Sequence, residues 1–472
     1  KQLHFGWILD WPAGLHPLLN QPVLLALNDG PFSKRDEKSI LKLGQSGKAN
    51  DVGTIGTFGL GMKSVFHLCE GFFYACSADQ EARDGLPFVE FLTPHEDLDH
   101  VKNWEYHEKH AVEIIMEKLG FWGSLCKRWF CIMIPLRRKE HLGAPGPLHE
   151  SLPEIETLYP NSPKEEIIHC FTPLLKSLEQ ITFWDRNPNS VRPKKAWRMS
   201  FEAAGLKRTL FPDRLGDGVK SAIGGTAKME VFSPERTSTE YSFVGNEILL
   251  SDPIFDEIKS DISSKKIRDI ETGEYTTPKA DPHCAVMFST SKTLTKEDSG
   301  FLIERSTFLP LGRTEAPRPL NGKRKFRLTL QGGYFLDPGR QAVINRSGSD
   351  KGIEEKWNDS IDELGVWPLI LPTLSKFVED YEPGSLEVVN LTKALQESET
   401  FKRNKQSICS KYHWLRQIVY QDSERYQWKL LDQDQEYLVL PEPDKNSISL
   451  PFEVFPNLKT IRSEEHTSEL QS

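Results

Sequence analysis

Between Ile55 and Leu68 the chain reads IGTFGLGMKSVFHL, so that Gly56, Gly59 and Gly61 run directly into Lys63 and Ser64. Glycine lets backbone N–H groups crowd around an anion, and a helix beginning just after adds its partial positive charge. The chemistry this suits is phosphate cradling. Two widespread phosphate motifs nevertheless fail here. Gly56 to Gly61 has the outer spacing of G-x-x-x-x-G-K-[ST], but Met62 stands before Lys63 and moves the lysine out of phase. Counting G-x-G-x-x-G from Gly59 through Gly61 puts Ser64 where the third glycine should pack. The glycines alone leave the ligand open.

A second candidate group lies upstream, at Asn28, Asp29 and Gly30. A carboxylate at a strand end can accept a hydrogen bond from the exocyclic amine of adenine, and Gly30 lets a base approach the backbone. Metal chemistry is less supported: His95, His100, His107 and His110 match no common ligand spacing and sit among acidic residues, which reads as a solvated face. His67 reads as a packing residue. The seven cysteines form no C-x-x-C pair and are an odd number, so reduced, buried thiols are expected rather than disulfides or zinc.

The elements that must position these groups follow from pattern. Gln21 to Asp29, QPVLLALND, is a continuous apolar run with a polar tip, the signature of a buried strand. Ser33 then caps a helix with Asp36 as its capping-box partner, and Gly44 ends it. A Gly/Ser/Asn-rich loop leads to the glycine turn and a helix after Gly61. VEFLTP, WFCIMIPLR and ITFWD read as further strands. Ser162, Pro163 and Glu165 start a helix whose apolar face is Ile167, Ile168, Phe171, Leu174, Leu175 and Leu178.

Composition sets the class. A chain of 472 residues, 38% hydrophobic and 27% charged, is an ordinary globular protein with room for two or three domains. No apolar run reaches membrane-spanning length and no signal peptide is visible, so a cytoplasmic location without membrane contact is expected. The net charge of −9 argues against a nucleic-acid partner bound through bulk positive charge.

The order strand, Asn28-Asp29-Gly30, capped helix, loop, then GTFGLGMKS opening another helix resembles the ATP-binding domain of the gyrase, heat-shock chaperone, histidine kinase and MutL (GHKL) superfamily, in its sacsin-like branch. The resemblance spans about residues 1–185 and is motif-specific from Asn28 to Leu68. It implies an α+β chain: a two-layer α/β sandwich of GHKL (Bergerat) type, N-terminally truncated, followed by a second α/β domain. It implies ATP and Mg2+ as cofactors, Asn28, Asp29 and Gly30 at the adenine, Gly56, Gly59 and Gly61 as lid hinges, and Lys63 and Ser64 near the phosphates. KFRLTLQGGYFLDPGRQAV, Lys325 to Val343, is similar to the segment that follows the ATPase domain in sacsin-like proteins, with a Trp357-Asn358 helix after it running on to Phe377. By analogy with the chaperone's middle domain, Arg340 is a candidate phosphate sensor.

Two departures bear on activity. Where relatives carry a threonine on the strand before IPLRR, this chain has Trp129-Phe130-Cys131. The helix carrying the catalytic glutamate and the magnesium-binding asparagine is expected upstream of Lys1, and Asp51 is the nearest acidic substitute. An ATPase is therefore expected for the intact protein, with no turnover by this chain. The expected division is residues 1–185 for the ATP-binding domain, 186–378 for a second domain and 379–461 for a C-terminal region, while 462–472, RSEEHTSELQS, reads as a translated library adapter. The functional expectation is an ATP-binding module of a chaperone-like or assembly protein with protein clients. Against it stand a degenerate nucleotide fold used as a scaffold and a MutL- or MORC-like DNA-associated ATPase.

Overall fold

The computed structural model describes residues 1–9, 21–40, 62–80, 88–94, 111–139, 148–150, 152–153, 172–175, 178–185, 192–203, 220–232, 238–264, 267–268, 275–276, 280–292, 299–307, 310–320, 322–337, 342–344, 352–381, 385–419, 426–432, 437–440 and 459–462. The chain divides into two units, Lys1–Glu202 with Ala227–Glu240 and Ile262–Lys279, and Ala203–Thr226 with Tyr241–Asp261 and Ala280–Ser472. Both mix sheet and helix, an α+β architecture.

The first unit is built on β1 (Gln2–Ile8), β2 (Val23–Asn28), β3 (Phe72–Cys76), β4 (Phe88–Leu92), β5 (Phe130–Pro135), β6 (Gln180–Trp184) and β7 (Lys195–Ala203). Their order across the sheet is β7-β6-β1-β2-β5-β3-β4, antiparallel except for the β1–β6 pair. QPVLLALND is therefore a central strand, paired with β1 on one side and β5 on the other, which explains its unbroken apolar run. Alternation sorts its side chains by face. Val23, Leu25 and Leu27 pack with Cys131, Met133 and the helical residues Ala111, Ile115, Leu119 and Trp122. Leu24 packs oppositely, with Phe32, Ile40, Cys69, Phe72, Tyr74 and Phe130. Gly6 is required by this packing, because a Cβ there would overlap the Trp122 indole.

Two long strands, β8 (Lys220–Val231) and β9 (Ser238–Leu249), have residues in both units, and β10 (Ile267–Arg268) and β11 (Tyr275–Thr276) form a small ribbon. The second unit continues with β12 (His283–Lys292), β13 (Gly300–Ser306), β14 (Pro310–Arg313), β15 (Arg318–Pro319) and β16 (Arg324–Gly332). The order runs β14-β13-β16-β12-β9, with β15 beside β13. The helix expected from Trp357-Asn358 to Phe377 is interrupted: Ile353–Ile361 and Trp367–Phe377 are α-helical, and Asp362–Val366 between them is a π-helical turn. That turn is where Asp362 accepts bonds from Tyr334 Oη and Arg305 Nη2, each at 2.6 Å. The Arg305 guanidinium also lies 5.4 Å from the centroids of both the Tyr334 and Trp367 rings. Helices Leu386–Glu397 and Glu399–Ile408 follow, then a sheet of β17 (Tyr412–Val419), β18 (Tyr426–Asp432), β19 (Tyr437–Leu440) and β20 (Lys459–Arg462) in the order β18-β17-β20-β19. Among the described residues no helix is long and apolar enough to cross a membrane.

Candidate functional site

The end of β2 carries Asn28 and, one step beyond, Asp29 and Gly30. The Asp29 carboxylate accepts the Gln2 backbone N–H at 2.8 Å, and Asn28 Oδ1 accepts the Gly30 N–H at 2.8 Å. The second bond is an Asx turn, and it supplies a local reason for Gly30: a Cβ there would stand 2.8 Å from Asn28 Oδ1. One hydrogen bond leaves a carboxylate most of its acceptor capacity, since its two oxygens offer about four lone-pair sites.

Asp29 is half-buried, and its charge is felt by two more deeply placed neighbours, His4 and Cys126. Burial pushes His4 down to about 4, the Asp29 charge opposing the shift and Lys195 reinforcing it. Burial likewise raises the Cys126 thiol to about 11, with Asp29 adding to the effect. His4 is neutral with a defined tautomer: Trp184 Nε1–H donates to its Nδ1 at 3.3 Å, so Nε2 carries the proton and faces Gln2 Oε1 at 3.2 Å.

After Gly30 the chain turns into the capped helix, Lys34–Ile40. The capping box forms in both directions, Asp36 N–H to Ser33 Oγ at 3.1 Å and Ser33 N–H to Asp36 Oδ2 at 3.0 Å. Phe32 stacks on Phe130 with ring centroids 4.5 Å apart, so the strand position at which a threonine is expected carries an aromatic wall. Gly44, Asp51, Gly56, Gly59 and Gly61 lie outside the described residues, as do His95, His100, His107, His110, Arg340 and the start of the helix predicted at Ser162. Lys63 and Ser64 are placed by backbone alone, in the helix Met62–His67.

That helix is a six-residue 3-10 helix, and its far end is capped by a side chain from a distant strand. Arg137, at the exit of β5, donates from Nη1 to His67 O at 2.9 Å and from Nη2 to Phe66 O at 2.6 Å and Cys69 O at 3.1 Å. Its Nε pairs with the Glu70 carboxylate, and both side chains are almost fully buried. The guanidinium satisfies carbonyls that the end of the helix leaves without an intrahelical partner. His67 is corrected by this geometry: it is exposed, with its ring edge-on to His149 at 5.2 Å, and contributes its carbonyl rather than packed bulk.

Sequence reasoning missed two positioning groups, Arg137 with Glu70 and the buried Gln80. IPLRR was visible as a motif, but nothing in its spacing names the carbonyls it holds. Trp357 and Asn358 also acquire a role. Asn358 accepts the Phe335 N–H at 2.7 Å and donates to Phe335 O at 2.8 Å and Ile344 O at 3.0 Å, while Trp357 Nε1 donates to Gly333 O at 2.8 Å. Together they clamp the base of the Leu336–Val343 bridge, within whose loop Arg340 falls in sequence.

Comparison with known proteins bears on the same segment. No curated protein matches the chain. A structural similarity exists to the B-subunit of the DNA gyrase from Myxococcus xanthus, at 9% identity and a TM-score of 0.28, covering 78% of this chain and 83% of that one. The family model of the Sacsin domain matches residues 14–75, the stretch that holds β2, Asp29, the capped helix, the glycine-rich sequence and the helix that Arg137 caps.

Proposed function

We propose that the first unit binds ATP and belongs to an ATP-hydrolysing, chaperone-like or assembly protein of sacsin type. The observation that carries this reading is the coincidence of the Sacsin-domain match at 14–75 with a central strand that delivers Asp29 next to an Asx turn and a capped helix. Asp29 would read the exocyclic amine of adenine with the acceptor capacity left after its bond to Gln2, and Gly56, Gly59, Gly61, Lys63 and Ser64 would meet the phosphates. Magnesium would arrive with the phosphates. Among the described residues no group of three or more His, Cys, Asp or Glu side chains is poised to hold it, so the proposal assigns the metal to none of them. Clients of such a module would be proteins.

A non-enzymatic scaffold is the second reading, favoured by the use of both polar tips, Asn28 and Asp29, in bonds to the protein's own backbone. Calorimetric titration of this chain with ATP and ADP separates the two. Binding of both nucleotides, weakened by ~1.5–3 kcal/mol in Asp29→Asn, is expected from loss of a charged hydrogen-bond acceptor. Gly61→Val should weaken ATP further than adenosine, because the added side chain meets the phosphates and not the base. Absence of binding to the wild-type chain, or an Asp29→Asn variant with unchanged affinity, would support the scaffold.

A further inference from the structure

Gln80 is 2% exposed, and each hydrogen-bonding group of its side-chain amide is used. Its Oε1 accepts the Phe32 N–H at 2.8 Å, and its Nε2 donates to Gly30 O and to Trp129 O, both at 3.1 Å. A buried amide with this set of partners defines its own orientation, since the flipped amide would set donor against donor at Phe32. The turn that presents it is itself fastened: Ser77 N–H donates to Trp129 O at 3.0 Å, and Trp129 N–H donates to Ser77 Oγ at 3.1 Å.

The consequence falls on Asp29. Upstream, the chain is held by the pairing of Asn28 with Leu3 and Phe130. Downstream, Gly30 and Phe32 are both tied to Gln80, and Pro31 between them has no N–H to place. Asp29 thus sits between two fixed points, with the Asx turn spanning it. A carboxylate that must meet one amine of a planar base benefits from such support, because a binding group works only while supporting contacts hold it within about 0.5 Å of its productive position.

We propose that Gln80 is a positioning residue for base recognition, acting through the backbone of Gly30 and Phe32 to hold the Asp29 carboxylate in register. The inference rests on the nucleotide-binding reading above and adds a residue to it from outside the matched segment 14–75.

The test compares wild type, Gln80→Met and Asp29→Asn in the full chain, titrated with ATP and with purine riboside triphosphate, which lacks the exocyclic amine. Methionine keeps the volume and removes the three bonds. If Gln80 positions Asp29, Gln80→Met lowers the ATP affinity about tenfold, leaves the purine analogue within about twofold, and so moves the ratio in the same direction as Asp29→Asn. An equal loss for both nucleotides, or no loss for either, overturns the proposal. Amide hydrogen exchange without nucleotide provides a second readout: Phe32 N–H should exchange at least tenfold faster in Gln80→Met while the β1–β2 amides stay protected. Unchanged Phe32 exchange refutes the strut itself. A wild-type chain that binds neither nucleotide, with Phe32 deprotected in the variant, overturns the nucleotide reading and the role in base recognition together while leaving the strut standing.

Discussion

Replacing Arg137 with methionine removes a guanidinium from a site where its side chain has no solvent exposure and its Glu70 partner only 2%. Three carbonyl oxygens, of Phe66, His67 and Cys69, lose a charged donor, and the Glu70 carboxylate loses its cation. Breaking a buried ion pair by deleting one member costs ~3–5 kcal/mol, because the remaining charge stays out of water. The carbonyls contribute to that range rather than adding to it in full, since local opening lets water reach some of them. Arg137→Lys keeps the charge but not the fork and should cost about half as much. Arg137→Met with Glu70→Gln should recover ~1–3 kcal/mol relative to the sum of the single variants, as the buried negative charge that faced the guanidinium is gone. Urea unfolding at pH 7, followed by tryptophan fluorescence, measures wild type and the four variants, Arg137→Met, Arg137→Lys, Glu70→Gln and the double replacement. A loss under ~1 kcal/mol in Arg137→Met would mean that the pair behaves as a surface ion pair and does not anchor the helix Met62–His67.

Three further outcomes are expected. His4 is held neutral by burial, with a folded value of about 4 against 6.5 unfolded, so below 6.5 the unfolded chain takes up a proton that the folded chain refuses. Its contribution is whole above about 6.5 and falls by roughly 2–3 kcal/mol as the pH drops toward about 4; His4→Asn, which keeps an acceptor for Trp184, should flatten that part of a stability-versus-pH curve. Asn358→Ala removes three bonds that tie Phe335 and Ile344 to the helix Ile353–Ile361 and should cost ~2–3 kcal/mol, with proteolysis appearing first between residues 335 and 344; wild-type resistance there would contradict the clamp. Burial raises the Cys409 thiol as it does those of Cys69, Cys126, Cys131 and Cys284, but among the described cysteines Cys409 alone is half-buried and the others are buried, so it should be alkylated first under native conditions, with mass spectrometry of the labelled peptides as the check.

The parts of this protein written in its sequence are those governed by neighbours along the chain. The Ser33–Asp36 capping box spans three residues and forms as its residue types require. The apolar run of β2 announces burial on both faces, and the order of Asp29, capped helix and glycine turn marks the segment that matches the Sacsin domain. What only the tertiary structure decides are contacts made across the sheet. Gln80 meets Gly30 across 50 residues, Arg137 meets Glu70 across 67, and Trp184 meets His4 across 180. These pairs exist because the strands are ordered β6-β1-β2-β5-β3, which places the exits of β2 and β3 beside the entrance of β5, the exit of β5 beside the entrance of β3, and β6 beside β1. Strand order comes from how alternating faces share two cores, and hydrophobic alternation specifies a face without naming the neighbour. The same reason explains the helix after Gly61. Its residues allow a helix, but the donor that satisfies the carbonyls at its terminus is a guanidinium brought from the end of β5, which no local pattern names.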